Sequence, residues 1–160
     1  MVYVLDSSIL ISSKRIDFRP EEKTGFWQWL VDLGKDGMVI IPERVYEELG
    51  AGKDELPGWL EKHKSLFWKP SSICRNELAM VIHAYETIWE TPPQAHILSK
   101  LGADPYVIAH ALAAHGTVVA NEGRTGSKVD VKIPVVCDRL SLPCISLARL
   151  LWNLRCRLPS

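Results

Sequence analysis

The sequence predicts an α/β fold, a three-layer sandwich on a central, mainly parallel sheet of four to five strands. Three observations predict it. Short apolar runs rich in β-branched residues alternate with amphipathic helical stretches. The short runs are apolar on both faces, which is typical of strands buried between two helix layers. The 160 residues are 47% hydrophobic and 24% charged, which suits a single domain over residues 1–160.

Each predicted strand is followed by turn residues or by the start of a helix. The four stronger candidates are Val2–Leu5, Met38–Ile41, Thr117–Ala120 and Ile133–Val136, and a weaker fifth is Cys144–Ile145. The helical patterns cover Thr24–Lys35, Glu43–Leu49, Ser72–Glu90, Pro105–His115 and Leu147–Cys156. Because strand and helix alternate, we expect right-handed crossover connections.

The middle of the chain carries only helical patterns, which prolines interrupt. We predict a helical insertion over about residues 54–101 of the single domain. The insertion contains Trp59, Trp68 and Trp89, which are expected to fill a small helical core. The alternative is that these rings form a surface for a partner or substrate.

Composition excludes several classes of protein. Nineteen basic and nineteen acidic residues give a net charge of zero, which argues against a protein that coats nucleic acid through bulk positive charge. No apolar run reaches the ~20 residues of a membrane span, and no basic region precedes an apolar one at the N-terminus. The four cysteines are scattered, without zinc-finger spacing. We therefore expect a cytoplasmic protein that does not contact a membrane.

Acidic residues follow three of the four stronger predicted strands. They are Asp6, Glu122 and Asp138. A single acid in this place is more often a turn former or a helix cap. In a parallel α/β sheet, however, the functional crevice lies outside the carboxyl ends of the strands. The coincidence of three such acids therefore indicates a site at that edge.

Two further acids are candidates because of their helical positions. Asp104 precedes Pro105 at the start of a helix with a buried stripe, so it is either a rigidly held ligand or a helix N-cap. In the helix after Pro42, Glu48 lies only about 60° from the buried Val45, whereas Glu47 points about 160° away, to solvent. The alternative role for Glu48 is an ion pair with Arg44.

Together these acids predict a metal site made of Asp6, Glu48, Asp104 and Glu122, with Asp138 as the alternative fourth member. Four close carboxylates repel one another unless a cation neutralises them. Oxygen ligands without a His or Cys cluster favour Mg²⁺ or Mn²⁺. Ser8 is a candidate to support a ligand through its hydroxyl, although Ser7 and Ser8 are alternatively caps of the next helix.

These motifs, taken in order, resemble the PIN domain, a family of metal-dependent ribonucleases that includes the toxins of bacterial toxin-antitoxin pairs. The first strand and its acid look like the family's first motif, and Ile41–Leu49 looks like its second. Ala103–Ala111 is similar to the third motif and Val118–Glu122 to the last strand. The family's last motif usually has Thr two residues before its acidic position, whereas Ala120 stands there in this chain.

The resemblance implies an endoribonuclease that hydrolyses RNA phosphodiester bonds with Mg²⁺ or Mn²⁺, and it implies Asp6, Glu48, Asp104 and Glu122 as catalytic residues. Metal-activated water removes the need for a catalytic histidine. RNA is the implied substrate, and an antitoxin protein is a candidate partner. The glycine-containing basic segment after Glu122 suits a phosphate backbone, and its substrate-binding candidates are Arg124, Lys128 and Lys132. The alternative is a solvated surface loop.

Two other functions stay open at this point. A PIN-like module that binds RNA or protein without cutting would fit the missing Thr, whereas the four acids oppose it. A phosphohydrolase of the haloacid dehalogenase type also begins with a strand ending in Asp, but it needs a second Asp where Ser8 stands. A homodimer is a further candidate assembly, through exposed positions among Trp27, Trp29 and the apolar helix 147–154.

Overall fold

A computed structural model describes residues 1–16, 25–89, 101–124 and 130–155. It confirms the α/β class, with five parallel strands in the order β3-β2-β1-β4-β5. The strands are β1 (Tyr3–Leu5), β2 (Val39–Pro42), β3 (Trp68–Lys69), β4 (Thr117–Val119) and β5 (Cys144–Ile145). Tyr3 of β1 lies opposite Val39 on one side and Thr117 on the other. The first strand is therefore the centre of the sheet, and its three residues are buried.

Helices fill the connections that parallel strands require. They are α1 (Ser7–Ile16), α2 (Gly25–Lys35), α3 (Glu43–Gly50), α4 (Leu56–Lys62), α5 (Lys64–Phe67), a 3₁₀ helix (Ser71–Cys74), α6 (Arg75–Ile88), α7 (Asp104–Ala113), α8 (Ile133–Arg139) and α9 (Leu147–Asn153). Helix α7 packs across β1, β2 and β4, and α6 packs along α7. Within the described ranges, no helix combines the length and apolarity that a bilayer crossing needs.

The prediction of a strand at Ile133–Val136 is wrong, because these residues form the start of α8. Pro134 occupies the first turn of that helix, where its missing N–H removes no intrahelical hydrogen bond. In a central strand the same proline would remove a ladder hydrogen bond. Ile133 and Val136 are buried beneath the helix. The apolar, β-branched composition of this segment therefore reflects its burial and does not indicate a strand.

The middle of the chain is not purely helical, since Trp68 begins the short edge strand β3. Trp59 serves packing, since its ring lies 4.7 Å from that of Trp27 and is stacked on Phe67 at 5.7 Å. Trp89 is buried. Trp27 is also buried, at 1% exposure, which removes it from the proposed dimer surface, whereas Trp152 in α9 is 77% exposed.

Candidate functional site

The strand order places a crevice between β1 and β4. The chain leaves β1 towards β2 on one side, and the later strands β4 and β5 lie on the other, so the carboxyl ends of β1 and β4 form a topological switch point. Asp6 directly follows β1, and its N–H donates to the carbonyl of Val119, the last residue of β4, at 3.0 Å. Glu122 comes three residues after the end of β4. Two of the predicted acids therefore enter one crevice.

Asp6 is held rigidly at the start of α1. Its side chain is only 3% exposed, and its Oδ2 accepts the N–H of Ser8 at 3.1 Å while the hydroxyl of Ser7 donates to Oδ1 at 3.5 Å. This is an N-cap arrangement, and the helix N-terminus favours the negative charge. Ser8 thus reaches Asp6 through its backbone. Its hydroxyl instead accepts the N–H of Asn121 at 3.3 Å and joins α1 to the residues after β4.

Asp104 is the group on which the other acids act. It is the first residue of α7, and Ala103 occupies the N-cap position. Asp104 is therefore not the N-cap of this helix. The pKa of Asp104 is raised to about 8, mainly by burial and then by the negative charges of Asp6, Glu122 and Glu48, in this order. The four predicted carboxylates therefore share one neighbourhood around Asp104.

Glu48 reaches this neighbourhood from α3. Its Oε1 accepts the N–H of Ala103 at 2.7 Å, whereas Arg44 pairs with Glu47 at 2.7 Å. The helical geometry thus distinguished the two glutamates correctly, and the alternative ion pair between Arg44 and Glu48 is not the one formed. Gly102 has φ +58°, and a Cβ at this position would collide with Oε1 of Glu48. The loop before Asp104 therefore needs a glycine here for both reasons.

Glu122, and not Asp138, is the fourth member of the cluster. Oε2 of Glu122 accepts the N–H of Ile133 at 3.1 Å, at the first residue of α8. Asp138 lies within α8, so it does not follow a strand, and it pairs with Arg124 at the surface. Glu122 contributes to the raised pKa of Asp104. Because residues 133–139 are helical, Asp138 does not stand at the end of a strand.

The basic candidates divide into three cases. Lys132 lies near the cluster: its hydrogen bond to Asp130 is the largest cause that raises its pKa, and Glu122 and Asp104 add to it. The ammonium lies 2.9 Å from the carboxylate of Asp130. Arg124 is exposed and tied to Asp138. Lys128 lies outside the described residues.

The donor chemistry of the cluster fits a hard divalent cation. Among the described ranges, no three His, Cys, Asp or Glu side chains stand close enough together to hold an ion as they are. Asp6, Glu48 and Glu122 each direct an oxygen to a backbone N–H, and a carboxylate has a second oxygen with further lone pairs. A cation would also relieve the cost of ionising Asp104. Side-chain rotation of these acids would be needed to close the ligand set.

One residue of this neighbourhood was missed by sequence reasoning. Tyr85 of α6 is fully buried, and Asp104, Glu122 and Asp6 are among the charges that act on its hydroxyl. In the sequence it lies on the apolar face of an amphipathic helix, where a tyrosine is ordinarily a packing residue. No local signal marks it, because its position depends on how α6 packs against α7.

The sequence was compared with known families. A family model described as a domain of unknown function, DUF4411, matches residues 3–158. No curated protein matches the sequence. The matched region contains the whole sheet and all four carboxylates.

Proposed function

The chain belongs to the DUF4411 family, and we propose that it is an endoribonuclease that hydrolyses RNA phosphodiester bonds with Mg²⁺ or Mn²⁺. One observation carries the proposal: Asp6, Glu48 and Glu122, distant from one another in sequence, all act electrostatically on Asp104. The negative charges of gathered carboxylates repel one another, and a bound cation would offset that repulsion. The resemblance of the same residues to PIN-domain motifs supports RNA as the substrate class.

The chain's own residues would hold and orient the reacting groups. Asp6, Glu48, Asp104 and Glu122 would bind the ion, which when bound would acidify water and offset charge on the phosphate. Backbone N–H groups at Ser8, Ala103 and Ile133 hold three of these side chains in place, and side-chain rotation would bring their free oxygens to the ion.

Substrate contacts would come from Lys132 beside the cluster, with Arg124 as an outer contact. The net charge of zero means that attraction of RNA must be local, and a lysine within reach of Glu122 and Asp104 supplies a cation at the place of chemistry. We also propose a cytoplasmic location, in keeping with the free Cys74, Cys137 and Cys144. We further propose a toxin role with an antitoxin protein as partner. We also propose that the chain forms a homodimer through the face around Trp152.

A second candidate function is a PIN-like module that binds RNA or protein without cutting. Two observations favour it. No three acids in the described ranges are arranged to hold an ion as they stand, and Ala120 replaces the hydroxyl residue of the family motif. Such a module would keep the fold and the basic residues but would not depend on a divalent ion.

Binding of Mn²⁺ separates the two candidates. We expect Mn²⁺ to raise the melting temperature of the wild-type protein and to support cleavage of a mixed-sequence RNA oligomer. Asp6→Asn should abolish both effects, while its amide oxygen still accepts the N–H of Ser8 and keeps the fold. The matched control is Glu47→Gln, which removes an acid from the solvent face of α3.

The two readouts are thermal unfolding and gel-resolved cleavage, each with Mn²⁺ and with EDTA. Equal Mn²⁺-dependent stabilisation of the wild-type and Asp6→Asn proteins would refute the assignment of the site. RNA binding without cleavage in any divalent ion would favour the non-cutting module.

A further inference from the structure

Two cysteines stand on either side of the turn that joins α8 to β5. Cys137 lies in α8 and is 0% exposed, and Cys144 begins β5 and is half-buried. Both thiols are free in this structure. Either thiol alone would be an ordinary packing residue. Their relation to each other depends on the backbone between them.

Helix α8 ends in a Schellman motif, which turns the chain back over the helix. The N–H of Leu142 donates to the carbonyl of Cys137 at 2.9 Å, and the N–H of Ser141 donates to the carbonyl of Asp138 at 3.2 Å. Ser141 has φ +53°, the left-handed conformation that this motif requires. The motif commonly packs the side chains at the positions of Cys137 and Leu142 against each other, and both residues belong to the buried core.

The extended segment after this turn carries Cys144 to the same place. Pro143 favours an extended conformation for Leu142, and the carbonyl of Pro143 accepts the N–H of Val118 in β4 at 2.9 Å. Because side chains alternate along an extended chain, those of Leu142 and Cys144 point to the same side. Helix α8 packs against β5. The thiols of Cys137 and Cys144 therefore meet, and they are hydrogen-bonded to each other.

The two thiols differ in reactivity. The hydrogen bond from Cys137 lowers the pKa of Cys144, burial opposes this effect, and the guanidinium of Arg124 lowers the pKa further. Arg124 is held nearby by its ion pair with Asp138, the residue after Cys137. The same hydrogen bond raises the pKa of Cys137, and burial adds to the rise. The half-exposed Cys144 therefore suits the attacking sulfur, and the buried Cys137 suits the resolving sulfur.

We propose that Cys137 and Cys144 form a redox site that a hydroperoxide oxidises to a reversible disulfide. The Cys144 thiolate attacks one oxygen of the hydroperoxide and the O–O bond breaks. A sulfenic acid forms on Cys144, and the other oxygen takes a proton from solvent and leaves as an alcohol, or as water where the oxidant is hydrogen peroxide. The Cys137 sulfur then attacks the sulfenic sulfur, the S–O bond breaks, and the hydroxide leaves with the Cys137 proton as water.

In sum, two electrons pass from the two thiols to the hydroperoxide. A dithiol reductant restores both thiols by exchange. Disulfides in the cytosol are usually of this transient kind, so the site is compatible with the proposed cytoplasmic location. It does not depend on the proposed ribonuclease activity.

The test is peptide mapping of the folded wild-type protein after treatment with hydrogen peroxide and alkylation of the remaining thiols in denaturant. We expect a disulfide between the peptides that carry Cys137 and Cys144, loss of two of the four alkylatable thiols, and recovery of both with dithiothreitol. Absence of this link would overturn the proposal, as would a disulfide from Cys144 to Cys156, which lies outside the described residues. A higher yield of the link in urea would also overturn it, because the fold would then not be what brings the thiols together.

Serine variants separate the two roles. Cys137→Ser should leave a sulfenic acid on Cys144 that dimedone traps, whereas Cys144→Ser should leave the buried Cys137 unlabelled. The matched control is Cys74→Ser, which removes another buried thiol and should leave the yield of the disulfide unchanged. Equal dimedone labelling in the first two variants would refute the assignment of the attacking and resolving sulfurs. Because the wild-type peptide map needs no substitution, it decides the proposal even where a serine variant does not fold.

Discussion

Replacing Asp104 with Asn should stabilise the metal-free protein, and the gain should grow with pH. The folded-state pKa of Asp104, about 8, lies above the ordinary value of 3.8. Between these two values the folded state holds a proton that the unfolded state has released, so wild-type stability falls as pH rises from about 4 to about 8. Asn resembles the protonated acid in shape and does not titrate. The two proteins should therefore be similar near pH 4 and differ most above pH 8.

The magnitude follows from the same two values. Since each tenfold change in proton affinity is worth about 1.4 kcal/mol, the difference between 3.8 and about 8 corresponds to a cost on the order of 6 kcal/mol. Two effects reduce the observable gain. Asp104 is only partly buried by surface area, so solvent screens its charge, and a negative charge at the start of α7 contributes about 0.3–1 kcal/mol in the opposite direction. We expect a net gain of about 2–3 kcal/mol at pH 8.5.

The assay is urea unfolding in EDTA at pH 5.5, 7.0 and 8.5, with the difference between mutant and wild type taken at each pH. The control is Asp138→Asn, because Asp138 is a well-exposed acid paired with Arg124 and should show no gain that grows with pH. A gain of equal size at pH 5.5 and 8.5, or a loss of stability at pH 8.5, would refute the reasoning that Asp104 is held among repelling charges.

Three further predictions concern the ligands and the substrate contact. Gly102→Ala should lower the free energy of unfolding by about 1–2 kcal/mol, because alanine disfavours a positive φ. The same change should weaken Mn²⁺ binding, because the added Cβ displaces Glu48. Wild-type values in both urea unfolding and Mn²⁺ titration would contradict this prediction. Glu48→Gln should reduce Mn²⁺-dependent RNA cleavage at least tenfold while its amide oxygen still accepts the N–H of Ala103, whereas Glu47→Gln should stay within about twofold of wild type, as expected for a surface pair. Lys132→Ala should weaken RNA binding and reduce the salt dependence of binding by about one counterion. Binding would be measured by fluorescence anisotropy at several salt concentrations, in the Asp6→Asn background, which does not cleave RNA. An unchanged salt dependence would exclude a phosphate contact.

Helical and strand periodicity was sufficient to indicate the positions of Asp6 and Glu48. The position of Asp6 followed from a buried strand and the rule that crevices lie at strand ends. The choice of Glu48 over Glu47 followed from an angle of 100° per residue, and the hydrogen bond from Ala103 to Glu48 agrees with it. The sequence could indicate these positions because each depends on one element whose geometry is local.

Other parts failed or were missing where local geometry was ambiguous. The run Ile133–Val136 is apolar and β-branched in either conformation, and only its contacts with the rest of the core decide that it is a helix. Because this segment is a helix, Asp138 lies at the surface and not at the end of a strand. Tyr85 could not be found in the sequence at all, because its approach to Asp104 depends on the packing of two helices.

The sequence by itself determined the parallel α/β class and the net charge of zero, since these depend on composition and on the period of apolar residues. Only the tertiary structure decided that the charge of Glu122 acts on Asp104, that Gly102 makes room for Glu48, and that Tyr85 is buried. Charge repulsion, close contact and burial act through space between residues far apart in the chain. Their effects therefore exist only once the strands are ordered and the helices are packed.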